Sequence, residues 1–358
     1  MDSYVQNAGD ISMKVGVIFG KFAPLHLGHI HAINYSATLC DKLYVVLCHS
    51  EEQDKKFFLD QGLKPVPYKE RLRWLLEVYQ DIEHVYILTH DENHFKVYPH
   101  GWIDWSASIK KLIPERFNIL FSSEKDYQEG FKKYFPECET CLIDPERNAV
   151  PISASQIRKE GIFKHWEKLP GVVRPYFAKK VVVVGTESCG KTTLVKYLAK
   201  KYNTSWVEEY GRIYTEKNCF GREDLLVYDD YPKIAYTHKI EEEKALRTAN
   251  KLVFIDTEAI ITQYYCYLYE GKKHPLVDEI IKLQNYDMWL YLEPDVKWID
   301  DGIRSQGTTD KRVSNNELLK SFIKSYLPAY TNVYYIKGSY NKRFQQVVDL
   351  IHSEFGIE

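Results

Sequence analysis

The sequence predicts an α/β chain: two Rossmann-like parallel-sheet domains laid end to end. Three observations lead there. At 358 residues the chain exceeds the size at which one hydrophobic core stops growing. Its apolar segments alternate between the strand period and the helix period. Two strands also run directly into glycine-bearing loops that open helices, GKFAPLHLGH from Gly20 and GTESCGKTT from Gly185.

In the first half, VGVIF reads as a buried strand, followed by the loop and a helical IHAINYSATLC. KLYVVLC is the next strand, and HSEEQDKKFFLDQGLKPVPYK reads as a long polar connection. Helical ERLRWLLEVY and the strands HVYIL, NILFS and TCLID precede the segment VPISASQIRKEG. The second half opens with KKVVVVG, whose four consecutive valines suit a strand covered on both faces. Further strands are expected at SWVEEY, KLVFID, MWLYLEP and VYYIKG. Two prolines and a glycine in LPGVVRPYFAKK punctuate the chain, so the domains are expected at 1–172 and 173–358.

Forty-eight basic residues nearly balance 50 acidic ones, which points to small-molecule chemistry rather than a dedicated nucleic-acid surface. No apolar run approaches bilayer length, and MDSYVQNAGDIS has no apolar signal core. A cytoplasmic protein is expected. The seven cysteines lie mostly in apolar stretches, where a thiol acts as a small hydrophobe. The pair Cys138 and Cys141 lacks a second pair to complete a metal site and reads as structural. Oligomeric state is left open, with a homo-oligomer allowed.

Gly185, Gly190, Lys191, Thr192 and Thr193 have the G-x-x-x-x-G-K-T spacing of a P-loop. Backbone N–H groups at such a loop close around phosphate oxygens, the lysine reaches the β- and γ-phosphates, and the hydroxyl of Thr192 coordinates Mg2+. A buried strand before it and an amphipathic helix after it supply the structural context that the motif needs. Glu208 and Glu209 end one strand, and Asp256 ends another. Glu209 and Asp256 are therefore the candidates for base and metal-side carboxylate; one of Glu208 and Glu209 is expected to face solvent. Arg304 suits either the charge of a transferring phosphoryl group or a surface ion pair with Asp300 or Asp301. The guanine-selecting N-K-x-D element is absent, so a small-molecule kinase is expected over a switch GTPase.

In the first loop, His26 and His29 stand three apart, after Gly20 and Lys21. A zinc site would need a third ligand, and H-E-x-x-H is absent. A triad would need a nucleophile, and there is no G-x-S-x-G elbow. Phosphate remains: His26 in the loop, His29 in the first helical turn, Lys21 adding charge, and Gly20 and Gly28 permitting close approach. At the C-terminal edge of a parallel sheet, this is where ligands bind.

GKFAPLHLGH resembles the G-x-F-x-P-x-H-x-G-H signature of the nucleotidylyltransferase superfamily, and ISASQIR resembles its second signature, I-S-x-T-x-x-R, with Ser155 in place of threonine. YPHGWIDWS, WVEEYGR, FIDTE and WIDDGIRSQG extend the likeness over nearly the whole chain, to the NadR family. That resemblance implies an N-terminal nucleotidylyltransferase fold and a C-terminal P-loop kinase fold. It implies phosphorylation of nicotinamide riboside by ATP to nicotinamide mononucleotide, then adenylyl transfer from a second ATP to give NAD and pyrophosphate, with Mg2+. The attacking phosphate is already an anion, so this second step needs alignment and charge neutralisation rather than a base. His26, His29 and Lys21 would act from one side, and Ser153, Ser155 and Arg158 from the other. Ser153 also suits an N-cap. The pyridinium ring asks for an aromatic partner, for which Trp102 is preferred over Trp105, core packing being the ordinary role of either. Only about a dozen residues precede the first strand, so the helix-turn-helix repressor domain of some family members, and DNA binding, are not expected. Two other functions fit less well: a fusion acting on another vitamin-derived substrate, and a non-catalytic ATP- or NAD-sensing regulator.

Overall fold

A computed structural model describes residues 13–96, 100–295 and 309–358, with side chains omitted for 309–313. The chain divides into two compact units, Met1–Val173 and Arg174–Glu358. Each is built on one five-stranded sheet, and all the strand pairings are parallel.

The first unit holds β1 (Val15–Gly20), β2 (Lys42–His49), β3 (Val85–Asp91), β4 (Ile119–Ser122) and β5 (Glu139–Leu142), in the order β3-β2-β1-β4-β5. The chain leaves β1 to one side for β2 and β3, then crosses to the other for β4. The loops at the carboxyl ends of β1 and β4 therefore diverge and leave a crevice, the usual ligand position in such sheets. Val17, Val45, Val46, Leu47 and Leu120 are fully buried, which explains why these strands read as unbroken apolar runs.

The second unit holds β6 (Lys179–Val184), β7 (Trp206–Val207), β8 (Leu252–Asp256), β9 (Met288–Leu292) and β10 (Val333–Ile336), in the order β10-β9-β6-β8-β7. Its order reverses at β6, whose partners are β8 and β9. Val183 pairs in register with Asp256, so the carboxylate that ends β8 stands beside the loop that leaves β6.

Two local expectations change. The polar connection after β2 contains a helix, Glu51–Leu59. Its buried face carries Asp54 and Phe58, four apart and one turn along. An aspartate at a core position disguises that face, and its burial is made tenable by pairing with Arg71, 17 residues away, and with Lys21. SWVEEY yields only the two residues of β7, because Glu209 already caps the helix Tyr210–Asn218. No helix among the described residues is long and apolar enough to cross a membrane.

Candidate functional site

In the first unit, His26 is the N-cap of the helix Leu27–Thr38, and its Nδ1 accepts the Gly28 N–H at 3.1 Å. A neutral His26 therefore carries its proton on Nε2, which is buried without a partner. His29, in the first turn, stacks on it at 3.7 Å between ring centroids, and its Nδ1 is likewise buried and unpartnered. Burial, then the charges of Arg147 and Arg158, push His26 down to about 3. Burial, His26 and Arg147 hold His29 well below the usual histidine range. Two neutral imidazoles thus present unused nitrogens at a helix N-terminus, a site suited to an anion.

The second signature closes on the first. Ser153 caps the helix Ala154–Glu160 by accepting the Gln156 N–H at 3.1 Å. Arg158 donates to the carbonyl of Ala23 and, at 3.3 Å, to the exposed Ser155 hydroxyl. Its guanidinium lies 5.2 Å from the centre of the Phe57 ring, and the Lys21 ammonium lies 5.8 Å from the same centre. Gly20 and Gly28 serve their own loop. A Cβ on Gly20 would come within 2.7 Å of the Phe22 ring, and one on Gly28 within 3.0 Å of His26.

Lys21 is held between two carboxylates, at 3.1 Å from both Asp54 and Glu92. Arg71, buried, pairs with Asp54 and donates to the Lys21 carbonyl, fixing the loop from beneath. Burial disfavours the charge on Glu92, but contacts with His90, Lys21 and Trp105 outweigh it and hold the carboxyl at about 2. Glu92 and Lys21 line a cavity of about 310 Å³ together with Phe57, Trp102, Trp105 and Phe131. Trp102 stacks on Tyr134 at 5.8 Å and meets Trp105 and Phe131 edge-on. It approaches Gly130 so closely that a Cβ there would lie 2.3 Å from the indole. Trp102 therefore lines the cavity and packs in the core at once.

In the second unit, Gly185 (φ +147°) and Gly190 (φ +88°) turn the P-loop, conformations open to glycine. A Cβ on Gly185 would also meet the Leu292 carbonyl at 2.7 Å. The helix Lys191–Lys201 starts immediately after the loop. Lys191 is buried and donates to the Thr186 carbonyl at 3.1 Å. Burial opposes its charge, but Cys189, Glu209, Asp256 and Glu187 together raise its ammonium above the usual range. Thr192 donates to Asp256, whose other carboxylate oxygen is buried and unpartnered. Burial and then the Glu209 charge lift Asp256 to about 7, against the pull of Lys191, Thr192 and Arg212. A hydroxyl and a carboxylate with an oxygen to spare are hard donors that fit Mg2+. Thr193 is exposed on the helix.

Glu209 faces a cavity beside Lys191 that is also lined by Glu187, Arg212 and Tyr265. Glu208 lies 3.9 Å from Lys196 with both side chains about half exposed to water, the solvent-facing member of the pair. Arg304, and Tyr98 and Pro99 of the YPHGW segment, lie outside the described residues. Sequence reasoning missed Arg147 and Arg212, which act on the histidines and on Asp256 respectively. Arg212 was legible in principle, three residues beyond Glu209. Arg147 sits in an irregular loop with φ +54° and carries no periodic signal.

Residues 17–160 match the cytidylyltransferase-like family, and residues 180–343 match the AAA domain family. The chain is 36% identical over 349 residues to the trifunctional NAD biosynthesis/regulator protein NadR of Escherichia coli K12, covering 96% of this chain and 83% of that protein. Its counterpart in Salmonella typhimurium is also 36% identical, over 347 residues. The crystal structure of a NadR protein in complex with NR superposes with a TM-score of 0.81 at 28% identity, over 97% of both chains. One in complex with NAD and AMP-PNP gives 0.77 at 29% identity, again over 97% of both. With this likeness spanning both units, the protein belongs to the NadR family.

Proposed function

We propose that the chain makes NAD in two ATP-dependent steps: phosphorylation of nicotinamide riboside in the second unit and adenylyl transfer to nicotinamide mononucleotide in the first. The observation that carries this is the pairing, in each unit, of a phosphate-binding strand–loop–helix corner with an adjoining cavity. Membership of the NadR family supports the substrates.

In the kinase step, Glu209 takes the proton from the 5′-hydroxyl as that oxygen attacks the γ-phosphorus, and ADP leaves. The assignment of Glu209 rests on its position in the cavity while Asp256 is engaged by Thr192. Lys191 and Arg212 stabilise charge on the phosphoryl oxygens. Thr192 and Asp256 would hold Mg2+, which supplies further neutralisation of the phosphates when bound.

In the adenylyl step, a phosphate oxygen of the mononucleotide attacks the α-phosphorus and pyrophosphate leaves. His26 Nε2 donates to a phosphate oxygen, with His29 beside it and Arg158 balancing the crowded charge. Lys21 sits between the phosphate end and the aromatic cavity, sharing Phe57 with Arg158 and lining the cavity with Trp102. The pyridinium ring is received there by Trp102.

The test is NAD formation by the pure protein from nicotinamide riboside, ATP and Mg2+. Product with another vitamin-derived substrate but none with this one would overturn the reading. In the same assay, Glu209→Gln should lower kinase kcat with little change in the KM for ATP, whereas Asp256→Asn should raise the Mg2+ requirement. The reverse pattern would exchange the two roles.

A further inference from the structure

Cys48 on β2 and His90 on β3 are register partners in a parallel pair, so their side chains emerge side by side on one face of the sheet. Glu92 follows His90 by two residues and returns to that face. Ligand atoms of all three lie within 4.8 Å of one another, and they form the one such cluster found among the described residues. The His90 ring is fixed from behind: Nε2 is 2.9 Å from the Ser108 hydroxyl, while Phe95 stacks on one side. Its Nδ1 is buried, has no hydrogen-bond partner and points toward Glu92 Oε1 at 3.9 Å. That separation is too long for a hydrogen bond and suits two atoms bound to one ion.

We propose that Cys48, His90 and Glu92 form a binding site for one zinc-class divalent cation. The donor set of one sulfur, one imidazole nitrogen and one carboxylate oxygen selects borderline-soft ions over Mg2+. Ser108 would fix the imidazole that binds the ion, as outer partners do in such sites. Cys48 and Glu92 also line the aromatic cavity, so the ion's fourth position opens there. Binding exchanges a proton for a metal. The Cys48 S–H bond breaks, its proton passes to the buffer, and a thiolate–metal bond forms. Glu92 keeps Oε2 for Lys21, while Oε1 is shared between Trp105 Nε1 and the ion. Lys21 disfavours a nearby cation, an effect opposed by the two carboxylates that already hold it and by the new thiolate.

The full chain, freed of metal, is titrated with Co2+ in excess Mg2+, and the thiolate-to-cobalt charge-transfer absorption is followed. This readout needs no substrate, so it stands or falls separately from the proposed reactions. One equivalent of Co2+ should saturate the band. Cys48→Ala should abolish it, and His90→Gln, which keeps a polar group against Ser108, should weaken Co2+ binding by about tenfold or more. A variant lacking both Cys138 and Cys141 should retain the band. No band in the folded wild-type chain, or a band that survives Cys48→Ala and is lost with Cys138 and Cys141, would overturn the site. Thermal unfolding confirms that each variant is folded, and His90→Gln decides the matter should Cys48→Ala not fold.

Discussion

His26 shows how burial converts a titratable residue into a neutral hydrogen-bond donor. Its ring is 1% exposed and its group is pushed down to about 3, whereas an unfolded chain would titrate near 6.5. Between those values the unfolded state binds the additional proton, so acid favours unfolding and stability rises with pH through that window. Each pH unit below 6.5 should cost about 1.4 kcal/mol for this histidine alone, and His29 shifts in the same direction. The urea midpoint of the ligand-free first unit should therefore fall steeply from pH 7 to pH 5. In His26→Asn the slope should flatten, because one of the two groups no longer takes up a proton on unfolding. An unchanged slope would mean that His26 is not buried neutral.

At the scale of elements, the C-terminal helix Tyr340–Phe355 braces the P-loop through Arg343. This buried guanidinium donates to the carbonyls of Cys189 and Glu293 and pairs with Asp295. The Asp295 side chain is 40% exposed, so the principal loss in Arg343→Met would come from two carbonyls left without a partner, on the order of 3 kcal/mol. Its Tm should drop, with a raised KM for ATP in the kinase step and an unaltered adenylyl step; a wild-type KM would show that the loop holds its own shape. The central strands were legible because strands buried on both faces must read as apolar runs, and the half-exposed β3, β5 and β10 by their short β-branched and aromatic stretches. The helix Glu51–Leu59 was not, because its core position is an aspartate whose cation, Arg71, lies on another helix. The same logic divides the site. His26, His29 and the P-loop announce themselves by spacing, since backbone geometry around a phosphate dictates it. Asp54, Arg71, Glu92 and Arg147 matter only through partners that folding brings near, and no local pattern marks them.

The whole chain joins two compact units, each with its own parallel sheet and its own glycine-bearing strand–loop–helix corner. Damage to one loop should therefore leave the other unit's chemistry intact. Removing one preorganised donor at a phosphoryl centre typically costs about 10²–10³ in kcat. His29→Ala should lose that much adenylyl transfer and keep its kinase activity. Lys191→Ala should lose the kinase by at least as much and keep adenylyl transfer. The choice of substrate separates the cases. Supplied with nicotinamide riboside and ATP, both variants should fail to make NAD, His29→Ala accumulating the mononucleotide and Lys191→Ala leaving the riboside untouched. Supplied with the mononucleotide instead, Lys191→Ala should recover NAD synthesis while His29→Ala should not. An equimolar mixture of the two variants should make NAD from the riboside, the product of one chain serving as substrate for the other. A mixture as inactive as its components, with both proteins folded, would require the mononucleotide to stay on the chain that made it, and the two sites would then work as one.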